Sequence, residues 1–252
     1  MAKQTGIITL KGTIGGITFY HTSLDGDLAH QKSSLSKERV MTDDAFIRTR
    51  ENAVEFGDAC EAGKTLRGGL RAFLRLARDR RVTSRLVKGM MTVVHTDSTS
   101  VRGKRVVELG DLTLLKGFDF NKNAKLNEVF TAPFTTTVDR AAGTLTFGVP
   151  AFIPQDVIVA PVGTTHFKLV FQGSEIDFST KVVNADSQTT AILPWDGTAT
   201  SVISQIATVT AGTILPLFMT IGVQFYELVN GNYYPLMNHS YNSLQVVNVD
   251  QV

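Results

Sequence analysis

The sequence predicts an α+β protein: an N-terminal β-meander and a helical hairpin, followed by an antiparallel β-sandwich of immunoglobulin-like size. Three observations point there. Apolar residues alternate with polar ones at the start, recur every three or four residues from Asp43, and alternate again after Gly117. In that last stretch, Thr- and Val-rich runs are separated by turn residues about every ten positions. A hydrophobic share of 43% beside 19% charged residues allows a real core and excludes an intrinsically disordered chain. The single cysteine, Cys60, can close no internal disulfide, which suits a reducing compartment.

The first segment, Gly6 to Lys32, reads as short strands. Ile8, Leu10 and Ile14 alternate with polar neighbours, Gly15-Gly16 is a hairpin turn, and Ile17-Thr18-Phe19-Tyr20 resumes the pattern. A second turn falls at Leu24-Asp25-Gly26-Asp27. Two or three such strands are too few to be stable alone. Ile8, Leu10, Ile14, Ile17 and Phe19 are therefore the expected edge for strand exchange with a neighbouring copy.

From Asp43 a helix is expected, with Thr42 or Asp43 as N-cap and a seam of Phe56, Ala59, Gly63, Leu66, Leu70, Phe73 and Ala77 on one face. Gly63 on that seam implies close approach by a second helix. Asp79-Arg80-Arg81 marks the turn, and Val82 to His95 forms that partner, with Leu86, Met90 and Val93 inward. Beyond the boundary at Gly117, strands are expected near Phe118–Phe120, Thr135–Val138, Thr144–Phe147, Phe167–Phe171, Glu175–Phe178, Ala191–Leu193, Ile206–Val209, Leu217–Tyr226, Tyr233–Tyr234 and Leu244–Val247. Turns are expected at Asp139–Gly143 and Asn230–Asn232. The uncharged run Gly197–Tyr226 is long enough for a membrane span. Its alternation, broken by Gly212 and Pro216, fits two strands and a turn better. No leader with a basic start and an apolar run precedes the first strand, so a cytoplasmic protein or an assembled particle is expected.

Charge divides the chain. Residues 1–116 carry a net +7 and residues 117–252 a net −5. The densest positive charge lies in one stripe, Lys64, Arg67, Arg71, Arg75, Arg78, Arg81 and Arg85, extended by Arg80 and Lys88, with Asp79 its one acid between Lys64 and Lys88. On a continuous helix the first five share an arc of about 80°. Like charges at that spacing repel unless something negative lies on them. A solvated face, an acidic protein surface and a nucleic-acid backbone all remain open as its counterpart.

Motifs for catalysis are missing. There is no nucleophile elbow, phosphate-cradling glycine loop or dinucleotide fingerprint. The histidines, at 21, 30, 95, 166 and 239, never fall at metal-ligand spacing, and Asp25-Gly26-Asp27 lacks the other ligands of a calcium loop. Glu175 and Asp177 share a strand face as a polar rim or an acid/base pair. Trp195, with Tyr233, Tyr234 and Tyr241, offers a sugar- or peptide-binding face, against which stands ordinary core packing.

The opening MAKQTGIITLKGTIGGITFY, the run FIRTRENAVEFGDACEAGKTLR, LLKGFDFN, GTTHFKL and AILPW resemble an uncharacterised bacterial family of about this length, over essentially the whole chain. The resemblance implies no activity. Where this chain reads Leu24-Asp25-Gly26-Asp27-Leu28-Ala29, that family carries an aromatic near Asp27. The expectation is thus a non-enzymatic structural protein, with no cofactor, metal, membrane span or small-molecule substrate. It would assemble with its own copies, as a filament, tube or virion-like shell, through strand exchange and contacts between its basic and acidic regions. The alternatives are a nucleic-acid-binding protein using the stripe and a sugar- or peptide-binding module.

Overall fold

The computed structural model describes residues 1–32, 35–75, 77–236 and 241–252, so His239 lies outside the described residues. By compactness the chain divides into two units, Met1–Arg50 and Glu51–Val252.

The first unit is a four-stranded antiparallel sheet of β1 (Ala2–Lys3), β2 (Gly12–Ile14), β3 (Ile17–Thr22) and β4 (Gly26–Gln31), in the order β1-β4-β3-β2. Gly15 and Gly16 turn β2 into β3 with φ of +56° and +81°, as a two-residue hairpin of this hand requires. A short helix α1 (Lys37–Thr42) follows, capped by the Ser36 hydroxyl on the Arg39 N–H. Asp43 caps as expected, but what it opens is a single 3₁₀ turn, Asp44–Phe46.

Helix α2 (Ile47–Gly69) is followed by the one-turn α3 (Arg71–Leu74) and by α4 (Val82–Val94). The expected single helix from Asp43 to the arginines is therefore broken at Leu70. Gly68 and Gly69 weaken its end, and Gly69 runs so close to a strand that an added Cβ would lie 2.7 Å from Val183 Cγ1. The Gln172 amide then caps the exposed Gly69 carbonyl at 3.0 Å. Leu86, Met90 and Val93 of α4 are fully buried, and an added Cβ on Gly63 would lie 3.6 Å from Leu86 Cγ, so the helical hairpin closes where the glycine allows it. Phe56 departs from the seam: it is exposed, and Glu55 takes the buried place beside it.

The rest of the second unit comprises α5 (Leu126–Val129), β5 (Thr135–Asp139), β6 (Thr144–Val149), α6 (Pro154–Val157), β7 (His166–Asp177), β8 (Val182–Thr189), β9 (Leu193–Pro194), β10 (Ile203–Thr208), β11 (Leu217–Val229), β12 (Asn232–Pro235) and β13 (Ser243–Asp250). The long strands β7 and β11 pair over ten positions and form the middle of a six-stranded antiparallel sheet, with β8 and β9 beside β7 and β12 and β13 beside β11. A three-stranded sheet, β10-β6-β5, stands apart from it.

Two apolar clusters lie on the faces of the large sheet. One joins Leu66, Leu86 and Met90 of the helices to Val170, Ile176, Phe218 and Val246. The other joins Leu145, Phe147 and Ala207 of the small sheet to Leu169, Phe171, Ile221 and Phe225. The second unit is thus three layers, helices over sheet over sheet. A boundary was expected at Gly117, but one core joins residues on both sides of it. Being covered on both faces, β7 and β11 carry near-continuous buried runs instead of alternation. For the same reason the two strands expected at Phe167–Phe171 and Glu175–Phe178 are one. At Gly173 the two sheets come so close that an added Cβ would fall 2.5 Å from Leu145 Cδ1. Phe118–Phe120 forms no regular strand; it runs beside β13, with Phe120 N–H donating to the Leu244 carbonyl and Val246 N–H to that of Phe118.

Candidate interaction surfaces

Registry fixes which side chains of the N-terminal sheet share a face, because residues directly opposite each other point the same way. Ile14 faces Ile17, Gly12 and Ala29 flank Phe19, and Ala2 faces Ala29. That face is largely apolar and small-residued, with Gln31 opposite Ile17 and a His21–Asp27 pair at 2.9 Å at its end. The other face is mostly polar, with Leu28 between Tyr20 and Lys3: Thr13 bonds Thr18 at 3.0 Å, and Tyr20 stands edge-on to His30. Ile14 and Ile17 are 61% and 44% exposed, and Ile7 and Ile8 in the loop before β2 more so. Among the described residues 1–50, Leu28 is the one buried apolar side chain.

The expected strand-exchange set is rearranged by this register. Ile8 and Leu10 lie outside any strand, where Leu10 N–H is taken by the Gln4 side chain at 2.8 Å. Ile17 and Phe19 sit on β3, which is paired on both sides. Ile14 alone is on an edge strand, β2. The alternation signal was sound, but it could not say that Gly6–Lys11 bends away from the sheet.

The basic stripe is likewise redistributed, because its helix ends at Gly69. Lys64 pairs with Glu61 at 3.5 Å, and Glu61 also takes Lys181 at 3.3 Å; the Lys181 hydrogen bond holds its carboxyl below the ordinary range. Arg67 is half-buried, with Nη1 buried and without a hydrogen-bond partner, and burial draws its guanidinium below its ordinary value. Arg85 is structural: it pairs with Asp79 at 2.5 Å and lies over the Phe118 ring at 5.1 Å. Of the arginines of the stripe, Arg71, Arg75, Arg78, Arg80 and Arg81 reach solvent, none of which has an ion-pair partner among the described residues.

Asp79 organises this segment. It is buried and accepts from the Arg81 N–H at 2.6 Å, the Lys122 N–H at 3.0 Å and the Arg85 guanidinium. Burial pushes its carboxyl up, but these donors outweigh burial and hold it below the ordinary range. The loop is therefore anchored from inside while its arginines point outward.

Most acids that were to answer this charge are engaged in their own loops. Glu175 is buried and accepts from the Thr210 N–H and the Thr213 hydroxyl, whereas Asp177 caps the turn through Ser179 and Thr180, so each is held by its own loop. Asp186 accepts from Thr208 N–H, Asp119 from Leu126 N–H, and Asp250 pairs with Arg140. Glu108 is pushed above the ordinary carboxylate range by burial and by the nearby Asp177 and Asp58. Trp195 is partly buried: its indole N–H donates to the Ile158 carbonyl at 3.1 Å and its ring packs on the core, whereas Tyr233, Tyr234 and Tyr241 are exposed. Among the described residues no three of His, Cys, Asp and Glu are grouped to hold a metal ion, and no helix is long and apolar enough to cross a membrane.

A network that sequence reading missed pins the 97–107 loop to α2. Gly103 N–H donates to buried Glu55 at 2.7 Å, Val107 N–H to Asp58 at 2.9 Å, and the Arg102 guanidinium to Asn52 at 2.9 Å. The helical spacing of Asn52, Glu55 and Asp58 was the available signal.

No family model matches the chain, and no curated protein does. A solved structure from work on pH-induced modulation of Streptococcus parasanguinis adhesion by Fap1 fimbriae is similar at 13% identity over 46% of this chain and 80% of that one. Its TM-score is 0.22, too low for that likeness to carry an argument.

Proposed function

We propose that this chain is a non-enzymatic structural protein that assembles with copies of itself through its N-terminal sheet. The observation that supports it is the apolar face of Ala2, Ile14, Ile17, Phe19 and Ala29, on which Ile14 and Ile17 are exposed and Phe19 and Ala29 half-buried, in a unit with a single buried apolar side chain among its described residues. A four-stranded sheet with one face uncovered lacks the burial needed to hold itself together. A second copy offers the same flat face in return, and two such faces stack as sheets do in a sandwich. At about 4.8 Å between strands and 3.3 Å per residue, β3 and β4 run about 20 Å each but β1 and β2 only about 7 and 10 Å, so the face spans about 270 Å². That is roughly a third of the ~800 Å² per partner of a stable complex. One such contact is therefore weak, and a lasting assembly adds pairing at the free β2 edge or repeats the contact many times.

Light scattering after size exclusion, followed by electron microscopy over a range of concentrations, tests this. The wild type should gain mass with concentration, and Ile14→Lys with Ile17→Lys should stay monomeric with unchanged far-UV circular dichroism. A wild type that remains monomeric at the highest concentration, or a double variant that assembles as well as the wild type, would refute the reading.

A further inference from the structure

We propose that the exposed arginines from the start of α3 to the start of α4 form a docking surface for the phosphate backbone of a nucleic acid. The segment from Arg71 to Arg81 carries five solvent-facing guanidinium groups, and its single acid, Asp79, is turned inward and consumed by Arg85 and two backbone N–H groups. The charge is thus uncompensated within the loop. Anchoring through Asp79 also brings the Lys122 backbone, and so a sixth basic residue, to the same place.

Unpaired like charges at this density cost stability unless a polyanion lies against them. Arginine is the residue type that matches phosphate with two parallel N–H donors. The rival counterpart is an acidic face of another copy, and most of the acids after Gly117 are already engaged by their own chain. Glu175, Asp177, Asp186, Asp119 and Asp250 each already accept hydrogen bonds from their own chain. The group of Asp58, Glu108 and Asp177 holds fewer charges than the loop, with Asp58 bound to Val107 N–H and Asp177 to its own turn. A nucleic-acid strand offers a continuous row of anions, one per 3.4 Å of each strand of a duplex, and needs no such acids to be released.

The experiment is fluorescence anisotropy of the full-length protein with a labelled duplex of random sequence and a labelled single strand, titrated with salt. Binding should weaken along a straight line of log affinity against log salt. Arg71→Ala with Arg75→Ala and Arg78→Ala should lower affinity at low salt by about tenfold or more, and on duplex should flatten the slope by about 0.9 for each phosphate that the variant no longer neutralises. The matching Lys triple should keep the slope while binding more weakly. Absence of binding to either probe at low salt would overturn the proposal, as would a triple Ala variant that binds like the wild type. So would displacement of the probe by polyglutamate at the same charge concentration as by unlabelled nucleic acid. Salt-sensitive self-association without nucleic acid, abolished in the triple variant, would assign the loop to another copy instead.

Discussion

Replacing Glu55 by alanine tests how the second unit holds its longest irregular stretch. Glu55 is 1% exposed on α2 and accepts the Gly103 N–H at 2.7 Å; Arg105 Nε stands 4.0 Å away. Truncation removes a hydrogen bond to a charged acceptor, worth about 1.5 to 3 kcal/mol, and leaves the Gly103 N–H in a place that water reaches poorly. It also strands Arg105. That side chain is 27% exposed and can rehydrate, so the loss stays below the full cost of breaking a buried pair. Together these give about 2 to 4 kcal/mol for Glu55→Ala. Glu55→Gln keeps an oxygen for Gly103 and loses only the charge, so about 1 kcal/mol is expected. Urea unfolding at equilibrium reads both values from the midpoint at constant slope. In heat unfolding, each kcal/mol should appear as about 2 to 4 °C for a chain of this size. Two variants within about 0.5 kcal/mol of the wild type would refute the pinning. A Gln variant as damaging as the Ala variant would show that charge pairing with Arg105, not capture of the loop backbone, is the stabilising interaction.

Glycine substitutions should split by what surrounds them. Gly57→Ala, on an exposed helical turn with open space around it, should stabilise by about 1 kcal/mol. Gly173→Ala, driven against Leu145 and Ala207, should destabilise by about 1 to 3 kcal/mol; chemical denaturation of the two side by side checks the contrast. Acid should weaken the second unit. Hydrogen bonds from the Ser179 side chain and from Thr180 lower the Asp177 pKa to about 2, and Asp79, Asp186 and Glu175 are lowered by donors that outweigh their burial. A lowered folded-state pKa means that the stabilisation is complete above the ordinary carboxylate value and is lost as pH falls through the folded one. Stability should therefore decline between about pH 4 and pH 2, and Asp177→Ala should flatten that decline in fluorescence-monitored titrations. A pH-independent midpoint across this window would contradict it.

The helical hairpin was legible because period and spacing are local. Leu86, Met90 and Val93 recur at helical intervals, and Gly63 marked a close approach that Leu86 fills. The hairpins at Gly15-Gly16 and Asn230-Gly231 were legible for a related reason: their positive φ values select glycine or asparagine irrespective of what lies further away. Reading faltered where distance in sequence was large. Phe56 and Glu55 exchanged places because a loop nearly fifty residues on supplies Glu55 with its donor. The arginine stripe looked like one helical face, but contact with Val183 and Gln172 of distant strands ends that helix at Gly69.

By itself, the sequence determined the succession of elements, the turns between them, the lopsided distribution of charge and the poverty of apolar burial at the N-terminus. All of these follow from backbone preferences and side-chain chemistry acting within a few residues. Only the tertiary structure decided which surfaces remain open: that Asp79 turns inward while five arginines turn outward, that the acids after Gly117 are mostly held by their own loops, and that the exposed Ile14 and Ile17 share one face with half-buried Phe19. Exposure is a property of packing, and packing depends on partners that no local pattern encodes.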